Sequence, residues 1–279
     1  MSQSPRQLLV ISGSSFERLL GLAGGHTTLR IGVMGPASLE RDATPDEVSK
    51  MQVLLQEALD AGAIGLSTGL AYGSAVSAST EEVIALAQLL RPASAIYTTH
   101  LRDESGDILE AMDEAFRIGR ECSVPVVLSH HKVTGKEFWG NTEETLRRVT
   151  AARAVQPVAL DVYPYDASST VLKMEAVNRA ERVIITWSEA MPEVAGKDLF
   201  DLTRSHPCFC GCSVEETAAL LQPAGAVYFA MDEADVKRVI AYPHTMIGSD
   251  GLPNDAVPHP RLWGKFTSNP RLRVVFESL

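Results

Sequence analysis

The sequence predicts an α/β fold built on a parallel sheet, and three observations carry that expectation. Short apolar runs recur along the chain, helical segments with legible N-terminal signals lie between them, and two runs end in histidines thirty residues apart, His100 and His130. Runs that are apolar on both faces fit strands covered by helices, whereas half-exposed antiparallel strands would alternate. Thirty residues is about the length of one strand-helix-strand unit, so both imidazoles fall at the same ends of neighbouring parallel strands. Such rims carry the sites of α/β folds.

Taken in order, the expected strands are Thr28 to Met34, Ala63 to Ser67, Ala95 to Thr99, Val124 to Ser129, Pro157 to Val162 and Thr245 to Ser249. Between them, Thr44-Pro45-Asp46-Glu47, Ser79-Thr80-Glu81-Glu82 and Asn141-Thr142-Glu143-Glu144 each offer an N-cap side chain with a glutamate three residues on. These are capping boxes or their close relatives, and each should open a helix. A further helix from about Asp107 to Glu121 places Ile108, Met112, Ala115 and Phe116 on one face, so it can lie on the sheet. From Tyr165 to His244 the rhythm lapses. That stretch reads as an excursion before the last strand, a lid or small subdomain, with another capping pattern at Ser213 to Glu216. The expected organisation is one partial domain over residues 1–264, with the insertion at about 166–243, and a tail over 265–279.

A chain of 279 residues that is 45% hydrophobic can bury a sizeable core. Its formal charge of -10 argues against a nucleic-acid surface. No apolar run is long enough for a membrane span, and the N-terminal run is too short for a secretory segment; the expectation is a cytoplasmic protein. Four cysteines make no disulfide framework. Cys208, Cys210 and Cys212 alternate, so on an extended segment their thiols would point to opposite faces, and they read as reduced thiols rather than a metal site.

Neutral imidazole is the commonest metal ligand, and hydrolytic sites use about three protein ligands while leaving a position for water. His100 and His130 fit that role. Asp250, at the end of the last strand, is placed to take a proton from water and deliver it to a leaving amine. The alternative is a pair of hydrogen-bonded rim histidines and a turn-forming aspartate. Lys132, Tyr163 and Arg261 follow strand ends or face the same rim in this reading, and together could bind a substrate carboxylate, Arg261 as a fork and Lys132 as a point charge.

The segments 63–70, 100–104, 129–132, 161–165, 248–253 and 258–264 resemble, in order and spacing, those of the D-aminoacylases, the N-acyl-D-amino-acid deacylases of the amidohydrolase superfamily. The likeness runs from about His26 to Gly264. It implies a zinc-dependent (β/α)8 TIM-like barrel that hydrolyses an N-acyl-D-amino acid to a carboxylate and a D-amino acid. Under it, His100 and His130 are zinc ligands and Asp250 is the catalytic acid and base. Lys132, Tyr163 and Arg261 hold the substrate carboxylate, with Ser169 near them. The family's first barrel strand carries His-x-His and its second a cysteine ligand, and neither motif occurs before His100. Measured against the family, the strand at Thr28 to Met34 is the third and that at Thr245 to Ser249 the eighth, so the expected barrel is incomplete.

Open edges and a missing thiolate should lower both stability and metal affinity. The resemblance therefore implies a deacylase impaired in this chain. The alternatives are a non-catalytic paralogue that binds ligand or a full-length partner, and an amidohydrolase acting on another linear or cyclic amide. The partner expected in the first case is the small-molecule substrate, with no nucleic acid and no membrane. The purified monomer should turn over N-acyl-D-amino acids weakly or not at all; a rate typical of enzymes, about 1–1000 per second, would refute the impairment.

Overall fold

The computed structural model describes residues 24–36 and 39–251. In chain order these form β1 (Gly24–Gly25), α1 (His26–Met34), α2 (Pro45–Asp60), β2 (Gly65–Gly69), α3 (Thr80–Ala87) and β3 (Ile96–His100). There follow α4 (Ile108–Cys122), β4 (Val126–Leu128), α5 (Thr142–Arg153) and β5 (Val158–Val162). The chain then runs through β6 (Ser168–Val171), α6 (Met174–Val177), β7 (Arg182–Ser188), α7 (Leu199–Ser205) and α8 (Val214–Leu220). It closes with β8 (Ala224–Phe229), α9 (Glu233–Ala241) and β9 (Thr245–Ile247). Two compact units result. One takes in the described residues up to His131 with Thr145–Tyr163 and Pro243–Asp250, and the other Lys132–Glu144, Pro164–Tyr242 and Gly251.

The first unit is built on a six-stranded sheet of order β1-β2-β3-β4-β5-β9, every neighbouring pair parallel. Register aligns the strand ends. Gly69 stands opposite His100, Thr99 opposite Leu128, and Leu160 opposite both Leu128 and Thr245. Strand β4 is buried throughout, as the unbroken apolar run required. Helix α4 buries Ile108, Met112, Ala115 and Phe116, the face expected of it, and adds Gly119. A Cβ on Gly119 would stand 2.3 Å from Val126 Cγ2, so this glycine lets the helix lie flush on β4.

One expected element is corrected. Thr28 to Met34 is not a strand; it lies within α1, and the strand that precedes it is the two-residue β1. The buried side chains are His26, Leu29, Arg30 and Met34, spaced as one face of a helix rather than alternately. Ile31, in the middle of the run, is exposed.

The capping signals are realised at Thr44 and Ser213, each of which closes a full box with Glu47 or Glu216. Ser79 caps α3 by accepting from Glu82 N at 3.2 Å, but the Glu82 side chain goes elsewhere. It lies buried against His26 Nε2 at 2.7 Å and accepts two bonds from Arg30 Nη1 at 2.6 and 2.8 Å. Arg30 is wholly buried and also donates to the carbonyls of Ser74, Leu39 and Arg41. Burial alone would raise the Glu82 carboxyl, but the hydrogen bonds from His26 and Arg30 outweigh it and hold the group below its usual value near 4.5.

The second unit resolves the lapse of rhythm. It contains a three-stranded antiparallel sheet of order β6-β8-β7 with its own core. Val183, Ile185, Ala226 and Tyr228 on the sheet meet Leu199, Leu202, Phe209 and Leu221 from the helical side. Cys208 and Cys210 are exposed and Cys212 partly buried, all three free thiols. Cys208 lies in a short helical turn at Pro207–Phe209 and Cys210 and Cys212 follow it, none of them on a strand. No helix among the described residues is long and apolar enough to cross a membrane.

A depressed native pKa stabilises the fold above the unfolded value, and that stability is lost as pH falls through the folded one. Glu82→Gln leaves Arg30 buried without its counter-charge, which should cost about 3–5 kcal/mol at pH 7. The gap between variant and native protein, read by denaturant titration across pH, should narrow as pH falls below about 4.5, where the unfolded carboxylate takes up its proton while the native one still resists it.

Candidate metal centre

His100 is the last residue of β3, and its carbonyl is tied on both sides. It accepts from Thr99 Oγ1 at 2.9 Å and from Leu70 N at 3.3 Å. Thr68 Oγ1 donates in turn to Thr99 Oγ1 at 2.8 Å and lies 3.0 Å from the Tyr97 hydroxyl. Tyr97 is wholly buried, which pushes its hydroxyl up to about 12, so it stays protonated at neutral pH. The Tyr72 ring packs against the His100 ring at 4.9 Å between centroids. Gly69 makes room for it: a Cβ there would stand 2.7 Å from Tyr72 Cδ2.

His130 lies two residues beyond β4 and takes a left-handed backbone, φ +40°. Ser129 N still donates to Thr99 O at 3.0 Å, continuing the pairing with β3. Beyond it the chain turns toward β5, with His130 N bonded to Asp161 Oδ1 at 2.8 Å and His131 N to Asp161 O at 2.7 Å. The neighbouring His131 is buried, with Nε2 2.8 Å from Thr145 Oγ1. It is a core histidine.

Glu104 comes from the loop between β3 and α4, and its neighbours fix that loop. Arg102 is clamped by two bonds to Glu114, at 2.7 and 2.9 Å, and donates to the carbonyls of Val76 and Ala78. The Asp103 carboxylate accepts from the backbone of Ser105 and Asp107 at 2.6 and 3.1 Å, winding the loop round itself. Glu104 is left buried beside the histidines.

The three side chains meet. His100 Nδ1 and His130 Nε2 are 2.9 Å apart, with the rings edge to face. Glu104 reaches His130 Nδ1 at 3.2 Å and His100 Nε2 at 3.7 Å. One ligand atom from each lies within 4.8 Å of the others. Two nitrogens bound at about 2.0–2.1 Å to one tetrahedral ion stand roughly 3.3 Å apart, close to the observed separation. The donor set, two nitrogens and a carboxylate, is that of a hydrolytic metal site.

Sequence reasoning placed the two histidines and missed Glu104. The available signal was a carboxylate four residues beyond His100, in a loop at a strand end. Tyr163, directly after β5, lies near the pair, its ring 6.2 Å from that of His130. Asp250, three residues beyond β9 and also left-handed at φ +50°, stands at the same edge of the sheet in sequence register. A Cβ on the preceding Gly248 would meet only Asp161 Oδ1, at 3.9 Å, so close approach does not demand that glycine. Lys132 is buried, and Ser169 on β6 pairs with Val227 on β8; both Lys132 and Ser169 fall in the second unit. Arg261 lies outside the described residues.

No protein-family model matches the chain. It is 51% identical over 242 residues to a D-aminoacylase of Alcaligenes xylosoxydans xylosoxydans, covering 87% of this chain and 49% of that protein. A crystal structure of D-aminoacylase, described as defining a novel subset of amidohydrolases, superposes with a TM-score of 0.80 at 52% identity, over 86% of this chain and 49% of the other. N-acyl-D-glutamate deacylase from Bordetella bronchiseptica, complexed with zinc and a phosphonate mimic of the tetrahedral intermediate, gives 0.79 at 42% identity, with the same coverage. The chain thus spans about half the length of the curated relatives it matches.

Gly69→Ala should drive Tyr72 off the His100 ring, since the new methyl occupies the space of the Tyr72 edge. Overpacking of this kind costs about 1–3 kcal/mol. Loss of the ring-current shift on the His100 imidazole protons, read by NMR, checks the displacement; an unchanged shift would mean the strand moves instead.

Proposed function

This chain is a homologue of D-aminoacylase and the N-acyl-D-amino-acid deacylases, and from that premise we propose that it carries the late-strand half of a zinc-dependent amidohydrolase site for N-acyl-D-amino acids. The observation that carries the reading is the meeting of His100, His130 and Glu104 at the C-terminal edge of a parallel sheet. The six parallel strands are taken as six of the eight in a (β/α)8 barrel, where catalytic groups come from the ends of several strands.

The two histidines and Glu104 are the residues that would hold the metal. Zinc, when bound, supplies Lewis-acid polarisation of the amide carbonyl and a hydroxide-like nucleophile near neutral pH. The remaining work is that of side chains. Asp250 accepts the proton of the attacking water and returns it to the departing amine, so one carboxylate serves as base and then acid. Tyr163, Lys132, Ser169 and Arg261 are assigned to the substrate carboxylate, as the family resemblance implies. The substrate class extends to acidic side chains, because N-acyl-D-aspartate and N-acyl-D-glutamate deacylases are among the relatives.

Elemental mass spectrometry of the monomer peak tests the site. The expected result is near one zinc per chain, falling to background in His100→Ala and His130→Ala and clearly reduced in Glu104→Ala. N-acetyl-D-amino acids, their aspartate and glutamate derivatives and the L-enantiomers then test the chemistry. The hydrolysis this half-site retains is expected to be weak, confined to the D-series and abolished by Asp250→Asn. A metal-free chain would defeat the metal reading, and cleavage of the L-series as fast as the D-series would defeat the deacylase reading.

A further inference from the structure

We propose that Asp161 is the positioning residue of the metal centre: by receiving two successive backbone amides it holds His130 in the left-handed turn that aims its imidazole at His100 and Glu104. The inference rests on the metal reading of that cluster and goes beyond it, because Asp161 contributes no ligand.

An L-residue at φ +40° is disfavoured by about 1–3 kcal/mol and persists only where its surroundings over-determine it. The determinants are on either side of the residue. Upstream, Ser129 N is committed to Thr99 O on β3 at 3.0 Å. Downstream, His130 N goes to Asp161 Oδ1 at 2.8 Å and His131 N to Asp161 O at 2.7 Å, both on the β5 side. Consecutive amides of an extended strand point to opposite sides, so two in a row cannot reach one neighbouring residue unless the backbone turns between them. Asp161 meets that geometry with one side-chain and one main-chain oxygen. Asp161 is 7% exposed, which keeps water from competing for the amide. With the turn fixed, His130 Nε2 stands 2.9 Å from His100 Nδ1 and His130 Nδ1 3.2 Å from Glu104.

Asp161→Ala removes one acceptor and leaves the main-chain one, so the β4–β5 pairing is retained. Asp161→Asn keeps an acceptor oxygen. Zinc alone, titrated calorimetrically into the metal-free full chain, should bind about 10–100-fold more weakly to the alanine variant and nearly as in the native protein to the asparagine variant. By NMR, exchange of the His130 amide should be slow in the native and asparagine forms and fast in the alanine form. An alanine variant that binds zinc with native affinity and keeps the amide protected would overturn the proposal. Should that variant fail to fold, the native protein decides it: fast exchange at His130 in the folded chain overturns the positioning role, and slow exchange preserved in Asp161→Asn upholds it. Absence of zinc binding by the native chain would instead remove the metal reading, while the amide exchange would still report on the clamp.

Discussion

The histidine pair depends on the register of β3 with β4. Thr98 faces Val127 and Thr99 faces Leu128, which carries His100 and His130 to one edge of the sheet; a slip of one residue would exchange the two faces of the strand. Close contacts fix β3 against both of its neighbours. A Cβ on Gly65 would stand 2.2 Å from Ile96 O, so β2 approaches β3 at a distance only glycine allows. Across the other side, Thr98 and Ser129 join their hydroxyls at 2.8 Å. Backbone pairing sets the strand spacing, and the buried hydroxyls, which cost free energy unless bonded, tell one register from another.

The same preference for satisfied buried groups decides the fate of Glu82. Locally, its place three residues after Ser79 favours a reciprocal capping box, and a capping interaction is worth about 1 kcal/mol. Globally, Arg30 is buried, and leaving such a charge unpaired costs about 3–5 kcal/mol. The buried charge prevails. Glu82 abandons the box for Arg30 and His26, while Ser79 keeps the half of the cap that needs only the Glu82 amide. The outcome ties α1 to the start of α3, elements 52 residues apart in sequence at the Arg30–Glu82 pair.

How much of the molecule is legible in its sequence follows from whether the signal is local. Strands β2 to β5 and β9 are visible as apolar runs, and α2, α4 and α8 through caps or a buried stripe. Each is encoded within a dozen residues. The segment 28–34 misleads because a short apolar run has no period of its own until its neighbours are counted: His26 and Arg30 belong to the buried face only because Glu82 awaits them. At the site, His100 and His130 are visible because imidazoles at strand ends are rare and their spacing matches the supersecondary unit. Glu104 is hidden, since a carboxylate in a polar loop reads as solvated until the loop is seen to fold inward. The left-handed turn at His130 has no sequence mark, because neither glycine nor asparagine stands there.

That turn and the Glu104 loop show one device used twice. His100 is carried on the strand itself, where the ladder fixes its backbone. His130 and Glu104 stand beyond the ladder, and side chains on unpaired backbone would wander by more than a metal site tolerates, about 0.5 Å. Each is held by an aspartate that accepts backbone amides. Asp103 takes those of Ser105 and Asp107 on the C-terminal flank of Glu104, and Asp161 takes that of His130 itself. The two aspartates differ in reach: Asp103 acts within its own loop, so the Glu104 arm is a local structure, whereas Asp161 acts from the next strand and makes the His130 arm answer to the β4–β5 pairing. The cluster therefore has one side chain set by the sheet, one by a loop that folds on itself, and one by the turn between two neighbouring strands. Disturbance of strand pairing must reach His130 before it reaches Glu104.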